Sequence, residues 1–155
     1  MTQSDWTSST EQADIAARNV ATLRRYLDAI NGWDFAAMRR LLHDEISYEL
    51  PYAPEPFPRV TQGFDAVMAF LESVPDFAEE ENLFDIVINA FASDLNELVA
   101  EYRSDMKLTN GRDYKNTYVV RATIRDERIV RFVEYFDPVP LIVAIGGHVE
   151  VPAEG

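Results

Sequence analysis

Apolar residues recur at spacings of three and four along the first part of the chain. Ile15, Ala16, Val20, Leu23, Tyr26, Leu27 and Ile30 form one stripe, while Arg18, Arg24, Arg25 and Asp28 fall on other faces. That period predicts an amphipathic helix. Ser9 or Thr10, followed by Glu11 and Gln12, supplies a cap near residue 10, and Asn31-Gly32 supplies the stop. Asp34 can cap a second, shorter helix through Phe35, Met38, Leu41 and Leu42, which should end near His43. Arg39 and Arg40 stand at its C-terminal end, where the helix dipole favours cations.

Alternation then replaces the helical period. Residues 46–50 predict a short strand that runs into Pro51, Pro54, Pro56 and Pro58, so residues 51–58 form a rigid loop without regular structure. Gly63-Phe64-Asp65 opens a third helix, stopped by Pro75. Four further strands are predicted over residues 82–92, 97–108, 113–125 and 129–137, separated by Ser93-Asp94, Thr109-Asn110-Gly111 and Asp126-Glu127. Links this short exclude parallel crossovers, which predicts an antiparallel meander. The expected architecture is α+β: three N-terminal helices packed on a strongly curved antiparallel sheet, as one domain over residues 10–140. Residues 1–9 read as a polar tail and residues 141–155 as a C-terminal extension. The extension carries Leu141-Ile142-Val143-Ala144-Ile145, apolar enough to pack on its own domain or on a partner subunit.

Strand parity sorts the sheet's two faces. In the last strand Val130, Phe132, Glu134 and Phe136 share one face, and Ile129, Arg131, Val133, Tyr135 and Asp137 share the other. Glu134 is therefore a carboxyl among apolar side chains, where desolvation raises a pKa toward neutrality and makes proton transfer feasible. The alternatives are a structural hydrogen bond to a buried neighbour or a wet sheet edge. By the same test Tyr114, Asn116 and Tyr118 face inward on one strand, and Leu98, Tyr102, Ser104 and Met106 on another. The opposite face of residues 97–108 carries charges of both signs, as a solvated surface or a subunit contact would. Residues 83–88 are apolar on both parities apart from Asp85, which leaves their orientation open.

Charge narrows the functions. The 155 residues hold 14 basic and 27 acidic side chains, a formal net charge of −13. That charge repels phosphate backbones and anionic membranes, so no nucleic-acid or membrane partner is expected. No apolar run approaches the ~20 residues that span a bilayer, and the first residues lack a basic-then-apolar leader, which predicts a cytoplasmic protein. There is no cysteine, His43 and His148 stand alone, and no phosphate-cradling glycine loop is present. No metal and no cofactor are expected.

Local words along the chain add a resemblance. Arg25-Tyr26-Leu27-Asp28-Ala29-Ile30-Asn31-Gly32-Trp33-Asp34, His43-Asp44-Glu45-Ile46-Ser47-Tyr48-Glu49, Gly63-Phe64-Asp65-Ala66-Val67 and the closing Glu134-Tyr135-Phe136-Asp137-Pro138 resemble the nuclear transport factor two-like superfamily. It includes ketosteroid isomerases, SnoaL-type polyketide cyclases and phenazine-biosynthesis A/B proteins. The resemblance implies a cone-shaped α+β barrel, a cone of helices and curved sheet around an apolar pocket, commonly dimeric through the sheet. Tyr26 matches the oxyanion-donating Tyr of ketosteroid isomerases. Tyr118 stands where their strand Asp donates, and Leu50 stands where their base sits. Glu134 matches a proton-donating Glu of phenazine A/B-like proteins, and Val74-Pro75-Asp76-Phe77 their helix-end motif, whereas the His of the preceding helix has no counterpart.

Three readings follow. In the first, a cofactor-independent isomerase, cyclase or dehydratase acts on an apolar, ring-containing substrate, with Glu134 moving a proton and Tyr26 or Tyr118 polarising an oxygen. Tyr48, Leu50, Met68, Leu98, Tyr102, Asn116, Phe132 and Phe136 are the residues expected to bind the substrate. In the second, the same pocket holds an apolar ligand without chemistry. In the third, the chain is a protein–protein adaptor, an obligate homodimer joined through the sheet.

Overall fold

The structure is a computed structural model and describes residues 8–153. The expected polar tail lies almost wholly outside the described residues. The first helix, α1, spans Ser9–Asn31, and Ser8 caps it by accepting from the Glu11 N–H at 3.1 Å. Asp34 caps α2, Phe35–Leu41, by accepting from the Ala37 N–H at 2.9 Å. Here the chain departs from expectation: Leu42 does not extend the helix but begins strand β1, Leu42–Glu49, with no loop between. Leu42 is fully buried in either role, so its apolarity marks burial and not helix.

The proline-rich residues 51–58 are irregular and lead to a three-residue strand, β2, Val60–Gln62, paired antiparallel to β1. Helix α3, Phe64–Ser73, ends in a single 3-10 turn at Val74–Asp76. Four long strands follow: β3, Ala78–Phe91; β4, Asp94–Leu108; β5, Asp113–Arg125; and β6, Arg128–Phe136. They form the antiparallel meander that the short links require. A fourth helix, α4, Pro138–Ala144, is capped by Asp137 and buries Leu141 and Ala144.

The six strands lie in the order β2-β1-β6-β5-β4-β3, an open sheet with helices packed against it. The sheet is mixed and not wholly antiparallel as expected, because β1 pairs parallel with β6. Everything from β2 to β5 intervenes between the two, long enough for a crossover. The pairing sets Tyr48 beside Phe132, whose rings stack at 4.8 Å with Tyr26 edge-on at 5.4 Å from Phe132.

Two irregularities decide which side chains face the helices. In β3 the register with β4 shifts between Phe84 and Val87, and Asp85 there has φ of 54°. This bulge reverses parity. Leu83 faces inward before it, Ile86 and Ile88 pack on the core after it, and Val87 is exposed. The apolar residues on both parities of that strand are thereby explained. The second irregularity lies between Thr123 and Ile124. It turns Ile129, expected on the outer face, into the core, where it is fully buried.

Helix α1 is fixed to the exposed edge of β3 by side chains that reach strand backbone. Asn31 donates to the Leu83 carbonyl at 3.0 Å and accepts from the Leu83 N–H at 2.6 Å, and Arg24 donates to the Ile86 carbonyl at 3.0 Å. Otherwise unpaired edge groups are thus satisfied. The first half of β3 is held in register against α1, where it forms one wall of a cavity.

Candidate functional site

The concave side of the sheet and the four helices enclose a cavity of about 110 Å³. Its walls are mainly aromatic and aliphatic, and two carboxyls, Glu134 and Glu81, reach it. Among the described residues no Lys, Arg or His lines it. A pocket of this kind, apolar with a few convergent polar groups, is where a small ligand is expected.

Glu134 enters from β6 and accepts a short hydrogen bond from the Tyr102 hydroxyl on β4. Burial pushes its pKa up to about 7, and the Tyr102 bond pulls the other way because it favours the ionised carboxylate. Tyr102→Phe removes that bond. The Glu134 carboxyl, followed by carbon-13 NMR, should then titrate above its wild-type midpoint; an unchanged or lower midpoint would show that the contact does not hold the carboxylate.

Glu81 enters from β3, three residues before Phe84, where the bulge begins. Burial raises its pKa to about 8, the charge of Glu134 adds to the rise, and the nearby Trp33 indole opposes it. The Trp33 indole Nε1–H is buried with no hydrogen-bond partner among the described residues, whereas its backbone N–H is bonded. Trp33 has φ of 46° in the left-handed position after α1, where its N–H bonds the Ile30 carbonyl at 3.0 Å and the Asp34 N–H bonds the Ala29 carbonyl at 2.9 Å. Glycine usually occupies that position. A bulky residue there is strained, and such strain concentrates where side-chain placement matters.

Hydroxyls on β4 and β5 form a second network. Ser104 and Tyr118 are 2.9 Å apart, Tyr118 donates to Tyr114 at 3.2 Å, and Asn116 donates to Tyr114 at 2.8 Å. The Tyr102 and Tyr118 rings stack at 5.0 Å. Burial raises the pKa of both phenols, and it pushes Tyr114 up to about 12 against the lowering pull of its donors Tyr118 and Asn116.

The structure brings together in the cavity wall Glu134, Tyr118, Tyr102, Tyr48, Leu50 and Phe136 of the residues singled out from sequence. Asn116 stands behind the wall, tied to Tyr114 and to the Asp137 carbonyl. Met68, Leu98 and Phe132 are core residues behind the cavity. Tyr26 is also outside the lining; it is fully buried, its hydroxyl has no hydrogen-bond partner, and burial raises its pKa. Sequence reasoning missed Glu81, which belongs to the acidic run Glu79-Glu80-Glu81 and precedes the residue where the strand was expected to start. Among the described residues no group of His, Asp and Glu is arranged to hold a metal ion, and no helix is long and apolar enough to cross a membrane.

With fold and cavity in view, the class of the protein is settled by sequence. The family profile of the SnoaL-like domain matches residues 23–132, and the chain belongs to that family. It is 28% identical over 127 residues to the uncharacterized protein YesE of Bacillus subtilis, covering 81% of this chain and 86% of YesE. A crystal structure of a candidate isomerase from Bacillus subtilis superposes with a TM-score of 0.76 at 25% identity, over 88% of this chain and 96% of that one. A phenazine biosynthesis-related protein from Pseudomonas aeruginosa shares the fold at a TM-score of 0.78 and 18% identity, over 96% and 98% of the two chains.

Proposed function

We propose that the protein is a cofactor-independent enzyme of the isomerase, cyclase or dehydratase type, in which Glu134 moves a proton within an apolar, ring-containing substrate held in the cavity. The observation that carries this reading is a buried carboxyl in a mainly apolar, aromatic cavity, with a donor, Tyr102, favouring its ionised form. A base with its pKa near the working pH combines availability with driving force. The candidate isomerase from Bacillus subtilis supports the reaction class. The absence of cations from the lining favours uncharged substrates.

The test is hydrogen exchange. Purified protein is incubated in heavy water with β,γ-unsaturated cyclic ketones, and deuterium uptake next to the carbonyl is followed by NMR. Uptake above buffer that depends on Glu134 supports proton transfer. Ketones that bind but take up no deuterium would leave a binding protein, a reading favoured by Leu50, an apolar side chain in the wall where the resembling isomerases place a base.

The chain acts in this reading as a cytoplasmic homodimer joined through the outer face of the sheet. Exposed Val87 and Val119 lie on that face, among the charged residues Arg103, Asp105, Lys115 and Arg121. Light scattering should give a mass near twice 17.7 kDa. A single-chain mass at micromolar concentration would remove the dimer.

A further inference from the structure

Among the cavity hydroxyls of the described residues two protons have no acceptor, those of Tyr48 and Tyr114, and of these two only Tyr114 accepts hydrogen bonds from its neighbours. The Asn116 side chain is fixed in orientation: its oxygen accepts from the Thr117 N–H at 2.9 Å, and its NH₂ donates to the Asp137 carbonyl at 2.8 Å. The same NH₂ donates to the Tyr114 oxygen at 2.8 Å. Tyr118 also donates to the Tyr114 oxygen, at 3.2 Å, so the Tyr118 proton is spent and Ser104 must be the donor in the 2.9 Å contact with Tyr118. Tyr102 spends its proton on Glu134. Tyr114 therefore accepts twice, lines the cavity, and has no acceptor for its own O–H among the described residues.

We propose that Tyr114 is the hydroxyl that binds the ligand's oxygen, and that the ligand is an uncharged ring compound bearing a carbonyl or equivalent acceptor. The inference rests on the reading that the cavity is the site of chemistry, and it replaces Tyr26 and Tyr118 as oxygen-polarising groups. Tyr26 is walled off from the hollow, and Tyr118 has already given its proton to Tyr114. A hydroxyl that accepts two hydrogen bonds becomes a stronger donor, because each incoming donor stabilises negative charge on its oxygen. The chain Ser104 to Tyr118 to Tyr114, joined by Asn116, ends on the ligand. Negative charge that develops on a carbonyl oxygen as Glu134 withdraws a neighbouring proton is shared into that chain. Tyr114 remains bonded to its proton throughout, and the substrate proton rides on Glu134 until it is returned to carbon.

The probe is 1-indanone labelled with carbon-13 at its carbonyl, with indane as its oxygen-free counterpart. In the wild-type protein the bound carbonyl stretch should lie below its position in an apolar solvent, and indanone should bind more tightly than a purely apolar pocket would favour. Tyr114→Phe should return the stretch to the apolar-solvent position and weaken indanone by about 3- to 10-fold, the range for one neutral hydrogen bond. Indane affinity should stay constant, which also shows that the variant keeps its cavity. Tyr26→Phe should leave the stretch shifted. A shift that persists in Tyr114→Phe, or a wild-type stretch already at the apolar-solvent position, overturns the inference. Deuterium uptake that depends on Glu134, measured in the same samples, would then still uphold proton transfer; its loss with the shift intact would reject proton transfer and keep the oxygen site.

Discussion

Glu134→Gln should slow deuterium uptake by roughly 10²- to 10⁴-fold, the usual contribution of one positioned acid–base group. Glutamine keeps the size of the side chain and can still accept from Tyr102, so the cavity and the Tyr102 contact survive while the proton acceptor is gone. The pH profile carries more information than the rate. Glu134 must be ionised to accept a proton, so the wild-type rate should climb as pH rises through about 7. Glu81 titrates at about 8, and its ionisation places a negative charge in the cavity that opposes charge building up on the substrate. The rate should therefore fall again above about 8. The higher value owes part of its rise to the lower, since the charge of Glu134 raises Glu81. Replacing Glu81 by glutamine should remove the alkaline limb. A wild-type rate flat between pH 6 and 9, or a Glu134→Gln variant within twofold of wild type, would end this assignment.

The second large effect is on stability. Both carboxyls have folded-state values above the ordinary glutamate value of 4.5, at about 7 for Glu134 and about 8 for Glu81. The folded state therefore holds their protons more tightly than the unfolded state does. Their contribution to stability is fully present below about 4.5, is lost as pH rises through about 7 and about 8, and stays lost above. Glu81→Gln has no proton to lose. At pH 5 it should unfold close to the wild-type temperature; at pH 9 it should be more stable by on the order of 2 kcal/mol, after discounting for partial exposure. For a chain of this size that corresponds to about 4–8 °C in Tm. Matching melting curves at both pH values would show that Glu81 is not buried as described. A carboxyl that weakens the fold at working pH is the kind of group retained for function and not for folding.

How far the sequence could be read depended on range. The helix stripe from Ile15 to Ile30, the Asp34 cap and the alternation in β4 and β5 are local, and each emerged with its faces correctly assigned. Non-local pairing was not legible: nothing in residues 42–49 announces a parallel partner near residue 132. Bulges were equally silent, because one inserted residue reverses every side chain beyond it, which left the orientation of residues 83–88 open and misplaced Ile129. Parity distinguishes inside from outside but not depth. Met68, Leu98 and Phe132 do face inward, yet they stop at core where Tyr48 and Phe136 stop at the cavity. Tyr114 shared the inward face with Tyr118, and only the directions of their hydrogen bonds separate the two.

The parallel contact between β1 and β6 has a kinetic consequence. It joins Leu42 to Ile129 and Glu49 to Val133, so a loop of roughly eighty residues must close before either strand gains its partner. Local hairpins such as β4–β5 form without that delay, and pairings this distant in sequence are the slow ones. Glu134 and Tyr102 meet across β5, within the early hairpins, whereas Tyr48 arrives with β1. During refolding, then, the acid and its donor should come together before the wall opposite them exists, and ligand binding should appear later than the strands that hold the chemistry.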